Sequence, residues 1–311
     1  MGSPDFAVPT LNALAGNTSD QDHPFEVAGV VTQPDRPSGR GREVKPSAVK
    51  RLALELGLDL IQPEKLRVPE AMEQLRAWAP DLIVVAAFGQ ILRADVLALP
   101  PRGCINVHAS LLPRWRGAAP VQAAISGGDA ETGVTIMKMD QGVDTGAILS
   151  QRAIPIEAED TGGSLLGKLA RLGPDLLIET LPRYLSGELQ PQAQDETKAT
   201  YAPMLKKEDG RLDFSHPAEE LARRVRALNP RPGAFMEWNG GMLKVHRAHP
   251  VERTAFIQDN GDRPKGQRLV FEGQAAVNAA GGLLVLDAVQ PPGKKPMSGK
   301  AFLAGARGWA E

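Results

Sequence analysis

Three residues carry side chains and spacing suited to chemistry at a carbonyl. Asn106 and His108 alternate within the apolar run GCINVH (103–108), and a strand points alternate side chains to the same side. Asp144 lies in QGVDTG (141–146), a turn that follows another strand-like run. When an amine attacks a carbonyl carbon, the carbon becomes tetrahedral and its oxygen becomes negative. The Asn106 amide and a protonated His108 can donate hydrogen bonds to that oxygen. An Asp144 carboxylate nearby favours the imidazolium and can relay the proton lost by the amine, directly or through one water. No GxSxG element accompanies these residues, so no covalent enzyme intermediate is expected. An Asn-x-His pair in a strand is, taken alone, more often structural than catalytic.

The remaining reactive side chains point elsewhere. Cys104 is the single cysteine, so neither an intramolecular disulfide nor a multi-cysteine metal site can form. Its apolar setting fits a small buried residue better than a nucleophile. The five histidines include no HExxH pair, and His246 and His249 sit three apart in a strand-like run, on opposite faces. No metal is expected.

The elements that position the three residues alternate between strand and helix. EVAGVVTQ (26–33), DLIVVAAF (81–88) and GCINVH (103–108) read as strands, the second buried on both faces as in a parallel sheet. KPSAVKRLALELG (45–57) and VPEAMEQLRAWAP (68–80) read as helices, each with a proline near its start. TGVTIMKMD (132–140) and AILSQRAIPI (147–156) read as strands flanking the Asp144 turn. The segment 161–187 reads as a long helix, kinked or split at Gly173-Pro174. This alternation predicts a Rossmann-like, doubly wound, mostly parallel α/β sheet. Ligands of such sheets bind at the carboxyl ends of strands, where Asn106 and His108 fall.

Residues 1–187 therefore form one expected domain and the polar stretch 188–206 a linker. Residues 207–311 form a second domain: a helix over 217–230, then short β-like runs separated by Gly and Pro, which suits a small β-barrel. At the start, MGSPDFAVPTLNAL reads as a Gly turn entering a helix, with Ser3 as N-cap and Pro4 at the first helical position. Such a turn normally follows a strand, so the listless opening suggests a natural start upstream of Met1.

The net charge of −1 hides an asymmetry. Residues 201–311 hold 17 Lys and Arg against 12 Asp and Glu, a balance of +5, while residues 1–200 carry −6. A basic second domain hints at a polyanionic partner, although plain soluble domains reach the same balance. No stretch approaches the roughly 18 consecutive apolar residues that span a membrane, and no secretory leader is visible.

NVHASLLPRWRGAAP (106–120) followed by MDQGVDTG (139–146) resembles the folate-dependent formyltransferases. The resemblance extends through GSPDFAVPTL (2–11), VTQPDRPSGRGREVKPSAVK (31–50), AFGQIL (87–92), YAPMLKKEDGRLDF (201–214) and KPMSGKAFLAGAR (295–307). It implies a one-carbon transferase with Asn106, His108 and Asp144 as catalytic residues. The implied donor is 10-formyltetrahydrofolate, walled by Phe88, Gly89, Ile91 and Leu92 and by the loop Ser110, Leu111, Leu112 and Pro113. The implied acceptor is the methionine of initiator Met-tRNA, held by an oligonucleotide-binding-type barrel. The family also carries a strand's worth of residues before the GSPDF turn, and often a proline where this chain has Arg93. An amino-sugar nucleotide as acceptor, or a non-catalytic folate- or RNA-binding role, remains the alternative.

The loop RPSGRGREVK (36–45) brings Arg36, Arg40, Arg42 and Lys45 together with two glycines. Arginine meets phosphate bidentately, so with Lys206 and Lys207 these are the expected tRNA contacts. A cytoplasmic monomer is expected.

Overall fold

The computed structural model describes residues 1–16, 25–38, 43–252 and 263–310. The chain divides into two compact units. One comprises Met1–Gly117, Thr132–Ile154 and Leu166–Ala202; the other comprises Ala118–Glu131, Pro155–Leu165 and Pro203–Glu311.

The first unit is mixed α/β. Its strands are β1 (Val30–Val31), β2 (Arg36–Ser38), β3 (Glu43–Lys45), β4 (Leu60–Ile61), β5 (Ile83–Val85), β6 (Cys104–His108), β7 (Arg116–Gly117), β8 (Glu131–Lys138), β9 (Ile148–Pro155) and β10 (Tyr201–Ala202). Strands β1 and β4 pair in parallel, as do β5 and β6, and a four-stranded sheet runs β5-β6-β8-β9 with β6 and β8 antiparallel. Helices α1 (Val8–Ala15), α2 (Ala48–Glu55), α3 (Pro69–Trp78) and α4 (Ala94–Leu97) alternate with the early strands. Ser47 caps α2 by accepting the Lys50 N–H at 3.0 Å, which satisfies one of the helix's free amides. The short apolar runs 83–85 and 104–108 form strands because both faces are covered, with Val85, Leu75 and Cys104 sharing one core.

Helix α5 (Pro120–Gly127) belongs to the second unit, and α6 runs unbroken over Gly162–Leu185 with Pro174 and Pro182 inside it. The helix is therefore not split at Gly173-Pro174, and Pro174 lies inside it. Gly173 serves packing instead: a Cβ there would lie 2.9 Å from Val107 Cγ1. The helix thus presses on the face of β6 opposite Asn106 and His108.

The expected linker 188–206 is corrected by its backbone pairing. Gln192 exchanges two hydrogen bonds with Ile148, at 2.7 and 2.8 Å, and β10 pairs in parallel with β7. Residues 188–202 therefore belong to the first unit. Residues 118–131 and 155–165, read from sequence as part of the first domain, group with the second. There α5 packs on α7 (Ala218–Ala227), with Arg223 Nε donating to the Ser126 carbonyl at 3.4 Å.

In the second unit an antiparallel sheet is built from β11 (Ala234–Trp238), β12 (Gly241–Glu252), β13 (Arg268–Phe271), β14 (Gln274–Ala279), β15 (Gly282–Gln290) and β16 (Met297–Ser298), ordered β11-β12-β15-β14-β13 with β16 on β15. Its core is closed by Phe302 of α8 (Gly299–Gly305) and by Trp309, whose indole N–H donates to the Leu269 carbonyl at 2.9 Å.

The N-terminal residues occupy a revealing place. The Met1 nitrogen donates to the Val84 carbonyl at 2.6 Å, the Gly2 N–H to Val31 at 3.0 Å, and the Met1 carbonyl accepts from Ala86 at 2.9 Å. Gly2 thus forms an isolated parallel bridge with Ala86 and hydrogen-bonds to Val31 of β1. Ser3 does not cap the helix; its hydroxyl accepts the Gln33 N–H at 3.0 Å, and α1 follows a 3-10 turn over Asp5–Ala7. A cavity of about 610 Å³ next to Met1 and Gly2 is lined by Gly29, Val31, Trp78, Leu82, Val84 and Leu181, among others. The Thr10 hydroxyl and the Trp78 indole N–H are buried at it without partners.

Candidate active site

The carboxyl end of β6 places Asn106 and His108 on one face, each registered on the antiparallel neighbour β8 opposite Met137 and Thr135. Asp144 reaches them from the turn between β8 and β9. That turn is held by Asp140, whose carboxylate accepts the Gly142 N–H at 2.9 Å and the Thr145 hydroxyl at 2.7 Å. Asp144 itself sits in the left-handed region at φ +53°, a conformation aspartate tolerates better than most residues. Gly146 closes the turn because a Cβ there would strike the Lys138 carbonyl oxygen.

The three side chains converge. Asn106 Nδ2 donates to Asp144 Oδ1 at 3.4 Å, and His108 Nδ1 lies 3.6 Å from Asp144 Oδ2. The Gly117 N–H donates to Asp144 Oδ2 at 2.8 Å, which fixes the carboxylate. His108 Nε2 is 3.1 Å from the Trp115 carbonyl. A carbonyl only accepts, so Nε2 carries a proton and the neutral ring turns an unprotonated Nδ1 toward Asp144. Trp115 at φ +62° and Ala87 at φ +46° share the left-handed backbone with Asp144. Such residues cost about 1–3 kcal/mol each and are tolerated where surrounding contacts over-determine them.

His108 is 5% exposed. Burial pushes its pKa below the ordinary imidazole value, and the Asp144 carboxylate and Trp115 carbonyl oppose that shift without reversing it. The expected donation from a protonated His108 to the oxyanion concerns the reacting complex; in the resting site burial favours the neutral ring. The resting ring is neutral and suited to take a proton at Nδ1, while Asn106 remains the side chain able to donate to a developing oxyanion. Cys104, 1% exposed, has its thiol pushed up to about 12 by burial and is no nucleophile.

The residues expected around the donor fall into two groups. Phe88 and Leu92 are core residues packed with Val85 and Val96. Ser110 is fully buried, its hydroxyl donating to the Arg114 carbonyl at 2.7 Å, and Leu112 is held through its N–H to Thr135 at 3.1 Å and its carbonyl to Gln151 at 2.8 Å. These four are buried. Gly89 and Ile91 are exposed, Ile91 at 83%, and Leu111 and Pro113 are half-buried.

Among the expected cations, Arg36 and Lys45 are exposed and face each other across the β2–β3 pairing. Arg40 and Arg42 lie outside the described residues. Lys206 and Lys207 are exposed on the second unit. Arg223, Arg224 and Arg226 of α7 are half-buried, and their guanidinium groups donate to the carbonyls of Ser126, Asp209 and Asp160. They anchor the second unit. The sequence reading missed Trp115, Gly117 and Thr135, which act through backbone groups or a buried hydroxyl and carry no local signature.

This fold and cluster define a group-transfer enzyme of mixed α/β architecture. A family model described as formyl transferase matches residues 2–181, and one described as formyl transferase, C-terminal domain, matches residues 204–307. The chain belongs to the formyl transferase family. A methionyl-tRNA formyltransferase of Myxococcus xanthus is 47% identical over 98% of this chain and 93% of its own length. One of Halorhodospira halophila is 46% identical over 98% and 95%. Among solved structures, an N-formyltransferase from Helicobacter canadensis in complex with folinic acid and dTDP-3-aminofucose shares the fold at TM-score 0.63 and 18% identity, covering 93% of this chain and 97% of that one.

An NMR titration of the His108 ring should give a midpoint below the ordinary imidazole value, and Asp144→Asn should lower it further by removing the charge that favours the imidazolium. A midpoint raised above that value, or unmoved by Asp144→Asn, would contradict the described electrostatics.

Proposed function

We propose that the enzyme transfers a formyl group from 10-formyltetrahydrofolate to the methionine amino group of initiator Met-tRNA. The observation that carries this reading is the convergence of an amide donor, a neutral imidazole and a carboxylate at the end of β6, at 3.4 and 3.6 Å. The near-full-length likeness to relatives named methionyl-tRNA formyltransferase supports the choice of acceptor.

The residues divide the work as follows. The attacking amine adds to the formyl carbon, and Asn106 Nδ2 donates to the oxygen as it becomes negative. His108 Nδ1 takes the proton released by the amine, and Asp144 stabilises the imidazolium so formed. The same proton then passes to the departing folate nitrogen as the tetrahedral carbon collapses, so His108 ends neutral. Asp144 remains a carboxylate throughout, held by Gly117. Ile91, Gly89, Leu111 and Pro113 offer the accessible surface for the folate, and Phe88, Leu92, Ser110 and Leu112 keep that surface in place.

For the acceptor, the exposed cations suit a phosphate backbone. Arg36 and Lys45 flank the segment that holds Arg40 and Arg42. The second unit also carries Lys206 and Lys207, and separately Lys244 and Lys294, which are linked because Lys244 registers on Gln290, whose side chain donates to the Lys294 carbonyl at 2.8 Å. No helix among the described residues is long and apolar enough to cross a membrane. A cytoplasmic monomer fits this role.

In a formyl-transfer assay with Met-tRNA, Asn106→Ala should lower kcat by about 10²–10³-fold and His108→Ala by about 10²–10⁴-fold. Activity within threefold of wild type in either folded variant, or a preference for an amino-sugar acceptor, would overturn the reading. Replacing Lys206 and Lys207 together by Ala should weaken tRNA binding and reduce the slope of log K against log salt by about 1–2, with folate binding unchanged. An unchanged slope would remove these lysines from the interface.

A further inference from the structure

Arg116 is a large charged side chain buried in the first unit, with its guanidinium fully shielded from solvent. Burying a charge is costly unless it is paired and hydrogen-bonded. Here Nη1 and Nη2 donate to the two carboxylate oxygens of Glu196 at 2.8 and 2.7 Å, and Nε and Nη2 both donate to Gln194 Oε1 at 3.1 and 2.9 Å. Such a planar fork fixes geometry as well as charge.

The neighbours of Arg116 in sequence are the two residues whose backbone groups hold the candidate site. Trp115 supplies the carbonyl that receives His108 Nε2–H, and Gly117 supplies the N–H that holds Asp144 Oδ2. Both have positive φ, Trp115 at +62°, which a residue with a side chain resists, and Gly117 at +120°, which glycine permits. The Arg116 backbone is pinned as well, its N–H donating to the Thr200 carbonyl at 2.8 Å. Gln194 then links the fork to the opposite side of the pair: its Nε2 donates to the carbonyls of Asp144 and Gly146 at 2.8 and 2.7 Å. One amide side chain thus receives the guanidinium with its oxygen and grips the Asp144 turn with its nitrogen.

We propose that Arg116 and Gln194 are positioning residues for formyl transfer, setting the separation between His108 Nδ1 and Asp144 Oδ2 from both sides of the pair. Arg116 locks the tripeptide that holds one atom of each partner, and Gln194 ties that tripeptide to the turn that carries the carboxylate. The inference rests on the functional reading above. A displacement of about 1 Å at reacting groups costs up to about 10²-fold in rate, so the network acts on kcat and not on substrate affinity.

The test uses Gln194→Glu, Gln194→Ala and Arg116→Lys in the full chain. Gln194→Glu keeps an oxygen for Arg116 but loses the two N–H donors to the turn. Arg116→Lys keeps the charge but loses the fork. With folding checked by circular dichroism and Tm, each should lower kcat about 10–100-fold with KM for both substrates within about twofold. The acid limb of the pH profile should move to lower pH, because a carboxylate drifting from His108 no longer favours the imidazolium. Gln194→Ala added to Asp144→Asn should cost little beyond Asp144→Asn alone. A folded Gln194→Glu with wild-type kcat and acid limb, or full additivity in the double variant, would overturn the proposal. The His108 midpoint measured by NMR in the same variants requires no turnover. If the wild-type chain transfers no formyl group, the functional reading fails, and an NMR midpoint unchanged in every variant would separately defeat the positioning.

Discussion

The hydrogen bond from the Gly117 N–H to the Asp144 carboxylate is the contact on which the rest of the candidate site depends. An aspartate in a left-handed turn has no intrinsic reason to face a buried imidazole; the 2.8 Å contact gives it one. With that oxygen fixed, the second oxygen meets Asn106, and the first stands 3.6 Å from His108. Burial then decides the protonation state. The ring is neutral at rest because the charged form is poorly solvated, yet a carboxylate waits to stabilise the charge when a proton arrives. A proton acceptor for an attacking amine needs both conditions, and neither burial nor the carboxylate supplies them alone.

The supporting frame is built for short distances. Gly173 lets α6 press onto Val107 between the two polar residues of β6, and Gly146 lets the Asp144 turn close against the Lys138 carbonyl. Thr135, opposite His108 on β8, donates its hydroxyl to the Ser110 carbonyl at 2.6 Å and accepts from Leu112, so the strand that aligns the imidazole also folds the loop after it. The non-glycine residues Ala87, Trp115 and Asp144, all with left-handed backbone at this end, show where packing has overridden local preference.

Much of this was legible in the sequence where the signal is local. The alternation in GCINVH gave the strand and the shared side of Asn106 and His108, and the turn chemistry of QGVDTG placed Asp144 at a strand end. The parts that were not legible depend on contacts distant along the chain. Gln194 meets the Asp144 turn across 50 residues, and Arg116 meets Glu196 across 80; polar residues in a stretch that reads as a linker carry no mark of that pairing. The depth of burial of His108, which favours its neutral form at rest, was not legible either, because sequence shows the neighbouring carboxylate but not the packing around the ring. Helix α7 is a further case: its three arginines donate to carbonyls of their own unit, which composition does not show.

The central claim is that one small carbon unit changes hands between Asn106 and the His108–Asp144 pair. A crystal structure with an inert formyl-folate analogue and a methionylated acceptor-stem mimic tests it most directly. The account predicts the methionine nitrogen within about 3.2 Å of His108 Nδ1, directly or through one water, and the one-carbon oxygen at the same range from Asn106 Nδ2. An amine bound on the far side of the carbon unit, with neither His108 nor Asp144 within reach of it, would contradict the account.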